Sequence, residues 1–226
     1  MKRRQFCVVG LGRFGSAMAV TLAQQGYDVI GIDGSEERVR EVADAVTAAI
    51  QLDATDAKAL RAAGIQDVDV AIVSIGEDIE SSVLAVMLLK ELGIPEVIAK
   101  AVSPLHARIL ERLGVSRVVL PEHEMAVRLA HSLALSNVIA YVELSGDYSI
   151  VEIPAPRQFV GRTLKQLELR PRWGLTLIAI KRRPSPDEPQ VTNVAPPADE
   201  VIQADDVLAL LGDNERVAQL DKFLGG

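Results

Sequence analysis

Six short apolar runs, each followed by a segment with apolar residues at helical spacing, constrain this chain more than any other feature. "FCVV" precedes Ser16 to Gln25, "YDVIGID" precedes Glu36 to Ala45, and "AAIQLDA" precedes a helix near Ala57 to Ala63. The alternation continues through "VDVAIVSIG" before Ser81 to Leu92, "EVIAKAV" before Leu105 to Leu113, and "SRVVL" before "EHEMAVRLAHSLAL". Strands joined by helix-length segments pair in parallel, because a parallel neighbour requires a long crossover. The expected fold is α/β, a doubly wound parallel sheet. Gly26, Gly64, Gly93 and Gly114 each follow a helical run, where a left-handed cap is expected.

The pattern changes near Asn137. Met125, Leu129 and Leu133 share one face of a helix that closes the first unit. Beyond it come the short strands "YSIVEIP", "LTLIAIKR" and "VLALLG", with helices expected at Thr163 to Leu169 and Glu215 to Phe223. The chain therefore divides into a domain over 1–136 and a small α+β domain over 137–226. The proline-rich "RRPSPDEPQVTNVAPP" reads as a hairpin or loop within the second domain.

Composition narrows the function classes. With 24 basic against 31 acidic residues the formal charge is -7, so no general attraction to nucleic acid or anionic lipid is expected. The single cysteine, Cys7, lies inside the first apolar run, which excludes an intrachain disulfide and a cysteine metal cluster and reads as a core position. "MKRRQFCVVG" reads as a first strand rather than a leader, and "SSVLAVMLL" is too short to span a bilayer.

Gly10, Gly12 and Gly15 follow the first strand and open a helix in GxGxxG spacing. In that context, a Rossmann-like sheet, Gly10 makes the tight turn, Gly12 admits phosphate to the backbone, and Gly15 permits close helix packing. Asp33, at the end of the second strand, is placed to accept hydrogen bonds from an adenosine ribose and to repel a 2'-phosphate; the competing reading is a helix cap. Arg13 adds a guanidinium beside the loop, which suits a terminal phosphate, although a solvated loop arginine is the alternative. A single glycine fingerprint implies one nucleotide site.

Enzymatic constellations are missing. Tyr27, Tyr141 and Tyr148 are followed four positions later by Gly31, Ser145 and Glu152, not by the lysine of a short-chain reductase. The second domain contains no histidine to serve as acid or base. Ligands of doubly wound sheets gather at the C-terminal ends of the strands, which points to Asp53 and Ala54, Ile75 and Gly76, Lys100, and Glu122. Lys100 could meet phosphate and Glu122 a cation; each also reads as an ordinary surface residue. His106 lies at a helix start beside the same edge and is either a ligand contact or structural.

The stretches "VVGLGRFG", "LLKELGIPEV", "KAVSPLHARILERLGVSRVVLPEHEMAVRLAHSL", "DYSIVEI" and "WGLTLIAIK" resemble the cytoplasmic RCK (TrkA-type) regulatory subunits of bacterial Ktr potassium uptake systems. The resemblance implies a nucleotide-binding N-lobe, a bridging helix and a C-lobe. It implies ATP and ADP competing for the N-lobe, with NAD(H) also bound, and Mg2+ or another cation near the phosphates beside Glu122. The ligand shell carried over is Gly10, Gly12, Arg13, Phe14 and Gly15 from the loop, then Asp33, Gly34 and Ser35, then Asp53 and Ala54. Ile75, Gly76 and Glu77, Lys100, Ala101 and Val102, His106 and Glu122 complete it. Gly34 departs from the larger residue of many relatives.

Several relatives bind cyclic di-AMP between C-lobes, and Leu164 and Arg170 lie in the matching region. The family further implies homodimers assembled into a homo-octameric ring. That ring sits at the inner face of the membrane beneath a KtrB-type potassium-translocating protein, so the chain is expected to be cytoplasmic. The competing classes are a small NAD-dependent oxidoreductase and an NADH-binding redox sensor.

Overall fold

The computed structural model describes residues 3–76, 78–135, 137–183 and 188–225. The chain forms two compact units, Met1–Glu122 and His123–Gly226.

In the first unit, β1 (Gln5–Val9), β2 (Asp28–Asp33), β3 (Ala48–Gln51), β4 (Val70–Val73), β5 (Glu96–Lys100) and β6 (Arg117–Val119) form one parallel sheet in the order β3-β2-β1-β4-β5-β6. The crossovers are α1 (Arg13–Gln24), α2 (Glu36–Val42), α3 (Ala57–Ala62), α4 (Ile79–Glu91) and α5 (Pro104–Arg112). β1 sits centrally, with Val9 paired to Ile32 on one side and Val73 on the other. Both faces of such a strand are covered, which is why its sequence is a continuous apolar run rather than an alternation. One face packs Leu60, Leu89 and Leu110; the other packs Val8, Leu11 and Val29. Burying each such side chain contributes roughly 1.5–3 kcal/mol. Cys7 is fully buried and its thiol is pushed up to about 12, so it stays protonated and inert. The four expected caps, Gly26, Gly64, Gly93 and Gly114, all take positive φ.

α6 (Pro121–Ala134) begins in the first unit and continues through the second. The second unit is built on an antiparallel sheet of β7 (Ala140–Ser145), β8 (Tyr148–Pro154), β9 (Thr176–Arg182), β10 (Val191–Val194) and β11 (Val207–Asp213), ordered β10-β9-β11-β8-β7. α7 (Leu164–Leu167), α8 (Leu169–Trp173) and α9 (Asn214–Gly225) complete it, and Leu175, Ile180, Leu208 and Leu210 form its fully buried centre. The helix expected over Thr163 to Leu169 is broken at Glu168, which takes φ 49°. Pro171 gives the reason: continued α-helix would drive its ring into the carbonyl of Leu167. The proline-rich stretch, residues 182–197, takes in the end of β9 and all of β10, which pair antiparallel, with residues 184–187 outside the described set. Among the described residues no helix is long and apolar enough to cross a membrane.

Candidate nucleotide-binding site

The sheet order reverses between β1 and β4, and a crevice of about 1440 Å³ opens at the C-terminal strand ends there. Its floor is the glycine loop. Gly10, at φ +90°, donates its N–H to the Ile32 carbonyl at 2.7 Å, and a Cβ on it would lie 3.1 Å from Ile75 N. Ser74 Oγ donates to the Gly10 carbonyl, which locks β4 to the loop. A Cβ on Gly15 would fall 1.8 Å from that same carbonyl oxygen, so only glycine lets α1 sit this close. A Cβ on Gly12 meets nothing within 4 Å, leaving its backbone open to the crevice.

α1 receives no side-chain cap at Gly12 and carries no acidic residue in its first turn. Its first amides and the positive end of its dipole are therefore directed at whatever occupies the crevice. Arg13 and Phe14 line the same wall, with the Arg13 side chain exposed. This is the arrangement of an anion cradle.

Asp33 ends β2 beside the glycine loop and is 9% exposed. Its carboxylate accepts the Leu11 N–H at 2.7 Å and the Ser35 N–H at 2.8 Å. It thus holds the glycine loop to β2 and still lines the crevice. Ser35, not Asp33, caps α2, by accepting the Arg38 N–H at 3.5 Å. Gly34 lines the crevice, and Gln51 donates to its carbonyl at 3.1 Å. Arg38 reaches within 3.6 Å of Asp33 Oδ2. No arginine stands immediately after Asp33 in sequence, but one turn of α2 returns this guanidinium to it. The repulsion expected against a 2'-phosphate is correspondingly offset.

Asp53 and Ala54 line the β3 side. Thr55 donates from its hydroxyl at 2.7 Å and its N–H at 2.8 Å to Asp53, holding that carboxyl below its usual range. Ile75 and Gly76 line the β4 edge, and Asp78, Ser81, Glu37 and Glu41 join the lining unforeseen. Glu77 lies outside the described residues. At the far wall Lys100 Nζ donates to Glu122 Oε1 at 2.6 Å. That bond is the main cause holding the Glu122 carboxyl below its ordinary range, and the Arg13 charge adds to it.

Five of the described residues expected in the shell do not line the crevice: Gly15, Ser35, Ala101, Val102 and His106. Ala101 is 1% exposed within the core. Val102 sits behind Gly76, whose Cβ would meet it at 3.7 Å. His106 is 1% exposed; its Nδ1 accepts the Val102 N–H at 3.4 Å, and its buried Nε2 has no hydrogen-bond partner among the described residues. It supports the loop after β5 from the inside, and burial pushes its pKa down. Gly15 likewise acts through packing.

A protein-held cation finds a poor fit. Among the described residues no group of three or more His, Cys, Asp or Glu side chains could hold a metal ion, and the Glu122 carboxylate already faces Lys100. In the second unit, Leu164 is half-buried against the core and Arg170 is exposed on α8.

The chain matches the models of the TrkA-N domain over residues 6–121 and the TrkA-C domain over 148–225. It is 36% identical over 220 residues to Ktr system potassium uptake protein C of Bacillus subtilis, covering 97% of both chains. The solved GsuK RCK domain superposes on 100% of the chain with a TM-score of 0.66 at 19% identity; this chain spans about half (48%) of that one. A GsuK structure bound to ADP is 27% identical over 57% of this chain and 34% of its own, with a TM-score of 0.51. The chain thus belongs to the TrkA family of potassium-uptake proteins, carrying a TrkA-N domain followed by a TrkA-C domain.

Proposed function

We propose that this chain is a nucleotide-sensing regulatory subunit of a potassium uptake system. The observation that carries the reading is the open glycine loop: unobstructed backbone at Gly12, uncapped α1 amides and an exposed Arg13 face one crevice that Asp33 also lines. An adenine nucleotide lies with its ribose toward Asp33 and its phosphates on the loop. Among the described lining residues acidic side chains outnumber Arg13, Arg38 and Lys100, so phosphate attraction is local to the loop wall.

ATP and ADP compete for this crevice, with NAD(H) as a further adenosine ligand. The ADP-bound GsuK relative, 27% identical, supports the adenine nucleotide class. Regulation follows if the ligands differ in affinity for two conformations of the chain, since equal binding to both shifts nothing. The output passes to a KtrB-type membrane protein, with the chain as homodimers in an octameric ring at the inner membrane face. The functional boundary falls after residue 136, leaving α6 as the bridging element. Cyclic di-AMP is the corresponding ligand class for the region of Leu164 and Arg170.

Mass spectrometry of the ligand retained through native purification tests the reading. Recovered ATP or ADP supports it; a tightly held NADH that is turned over with a substrate overturns it in favour of an oxidoreductase.

A further inference from the structure

Lys100 occupies an unusual position. Its side chain is 12% exposed, whereas its partner Glu122 is 71% exposed, so the ammonium is the buried member of the pair and the carboxylate the solvent-facing one. Nζ lies 5.8 Å from the centre of the Phe14 ring in the glycine loop. A Cβ on Gly76 would be 3.6 Å from it. The ammonium is thus enclosed by the phosphate loop, the end of β4 and the first turn of α6, and it neutralises a carboxylate on the helix that continues into the second unit.

A phosphate arriving on the loop competes with Glu122 for this ammonium. Phosphate oxygens carry more charge than one carboxylate and are held by the α1 amides as well, so they win the contest. We propose that Lys100 exchanges partners, pairing with Glu122 when the crevice is empty and with nucleotide phosphate when it is filled. The exchange unties the first turn of α6 from the end of β5. Lys100 is therefore a positioning residue through which occupancy is passed to α6, and Glu122 acts as an internal competitor of the ligand. This inference rests on the adenine nucleotide reading above and adds to it the route by which the phosphate is sensed.

The test is a double-mutant cycle on the full chain in EDTA, with calorimetric titration of ADP and, as control, adenosine. Wild type, Glu122→Gln, Lys100→Met and the double variant are compared, with Lys100→Gln substituted if Lys100→Met does not fold. Removing the Glu122 charge relieves its repulsion of phosphate in either background, but frees Lys100 only where Lys100 is present. The gain in ADP affinity from Glu122→Gln is expected to be about two- to fivefold larger in the wild-type background than in the Lys100→Met background, the size of a partly exposed ion pair. Adenosine affinity is expected to be the same in all four. Equal gains in both backgrounds, or a loss of ADP affinity on Glu122→Gln, overturn the exchange while leaving nucleotide binding intact. Failure of wild type to bind ADP and adenosine overturns both.

Discussion

Replacing Asp33 by alanine should damage the first unit even with no ligand present. The carboxylate accepts two backbone N–H groups, from Leu11 at 2.7 Å and Ser35 at 2.8 Å. The Leu11 bond is buried, so its amide loses its acceptor without water to replace it, whereas the Ser35 amide is only part-buried. Hydrogen bonds to a charged group contribute about 1.5–3 kcal/mol, and the half-exposed Arg38 pair adds little. The two together predict a loss of roughly 2–4 kcal/mol, with water recovering part of the Ser35 share. For a unit of this size that lowers the melting temperature by on the order of 10 °C. Calorimetry should register the shift, while the fluorescence of Trp173, the only tryptophan and in the second unit, should report a melting of that unit that does not move. Hydrogen exchange should accelerate at the Leu11 amide. Unchanged melting together with a still-protected Leu11 amide would refute the structural role. Affinities for ATP, ADP and NAD should fall by similar factors, since all three present the same ribose.

Further outcomes follow from the same geometry. Arg13→Ala should weaken ATP more than ADP, by about tenfold or more if the guanidinium pairs with the terminal phosphate, and equal losses in calorimetry would assign it to solvent. Gly15→Ala should abolish nucleotide binding and destabilise the first unit by about 1–3 kcal/mol, because its Cβ would lie 1.8 Å from the Gly10 carbonyl; retained binding would contradict the packing role. Burial holds the His106 pKa below its ordinary 6.5, so the unfolded chain binds the extra proton first. Wild-type stability relative to His106→Leu should therefore be full above that pH and decline as pH falls below it, read as the melting-temperature difference between pH 7.5 and 5.5. Arg182→Met should cost the second unit roughly 2–4 kcal/mol in denaturant titrations followed by Trp173, since it leaves the buried Asp206 carboxylate, which Arg182 grips at 2.7 and 2.8 Å, with only the Gln203 N–H.

The parallel sheet was legible because its central strands β1 and β4 are buried almost throughout, and each strand announces itself as a short apolar run between helical segments. β7 and β10 were not. Only Tyr141 of β7 is buried, and all four residues of β10 are exposed, so these edge strands carry no apolar alternation to read. At the site, the glycine loop and Asp33 are local signals of fixed spacing and could be read directly. Arg38 was missed because it returns to Asp33 through a helical turn. His106 was expected at the crevice because its sequence position lies at the right edge. Which way an imidazole at a helix start points depends on packing that spacing does not encode. The Lys100 to Glu122 pair joins the end of β5 to the first turn of α6, and only the folded sheet brings them together.

The regulatory role is tested most directly by potassium flux through proteoliposomes containing the full chain and its KtrB-type partner, with ATP exchanged for ADP at saturating concentration. Flux should change on exchange in wild type and lose that response in Arg13→Ala while the variant still binds adenine nucleotides. Identical flux with ATP, with ADP and without nucleotide, from a wild-type chain shown to bind both, would contradict it.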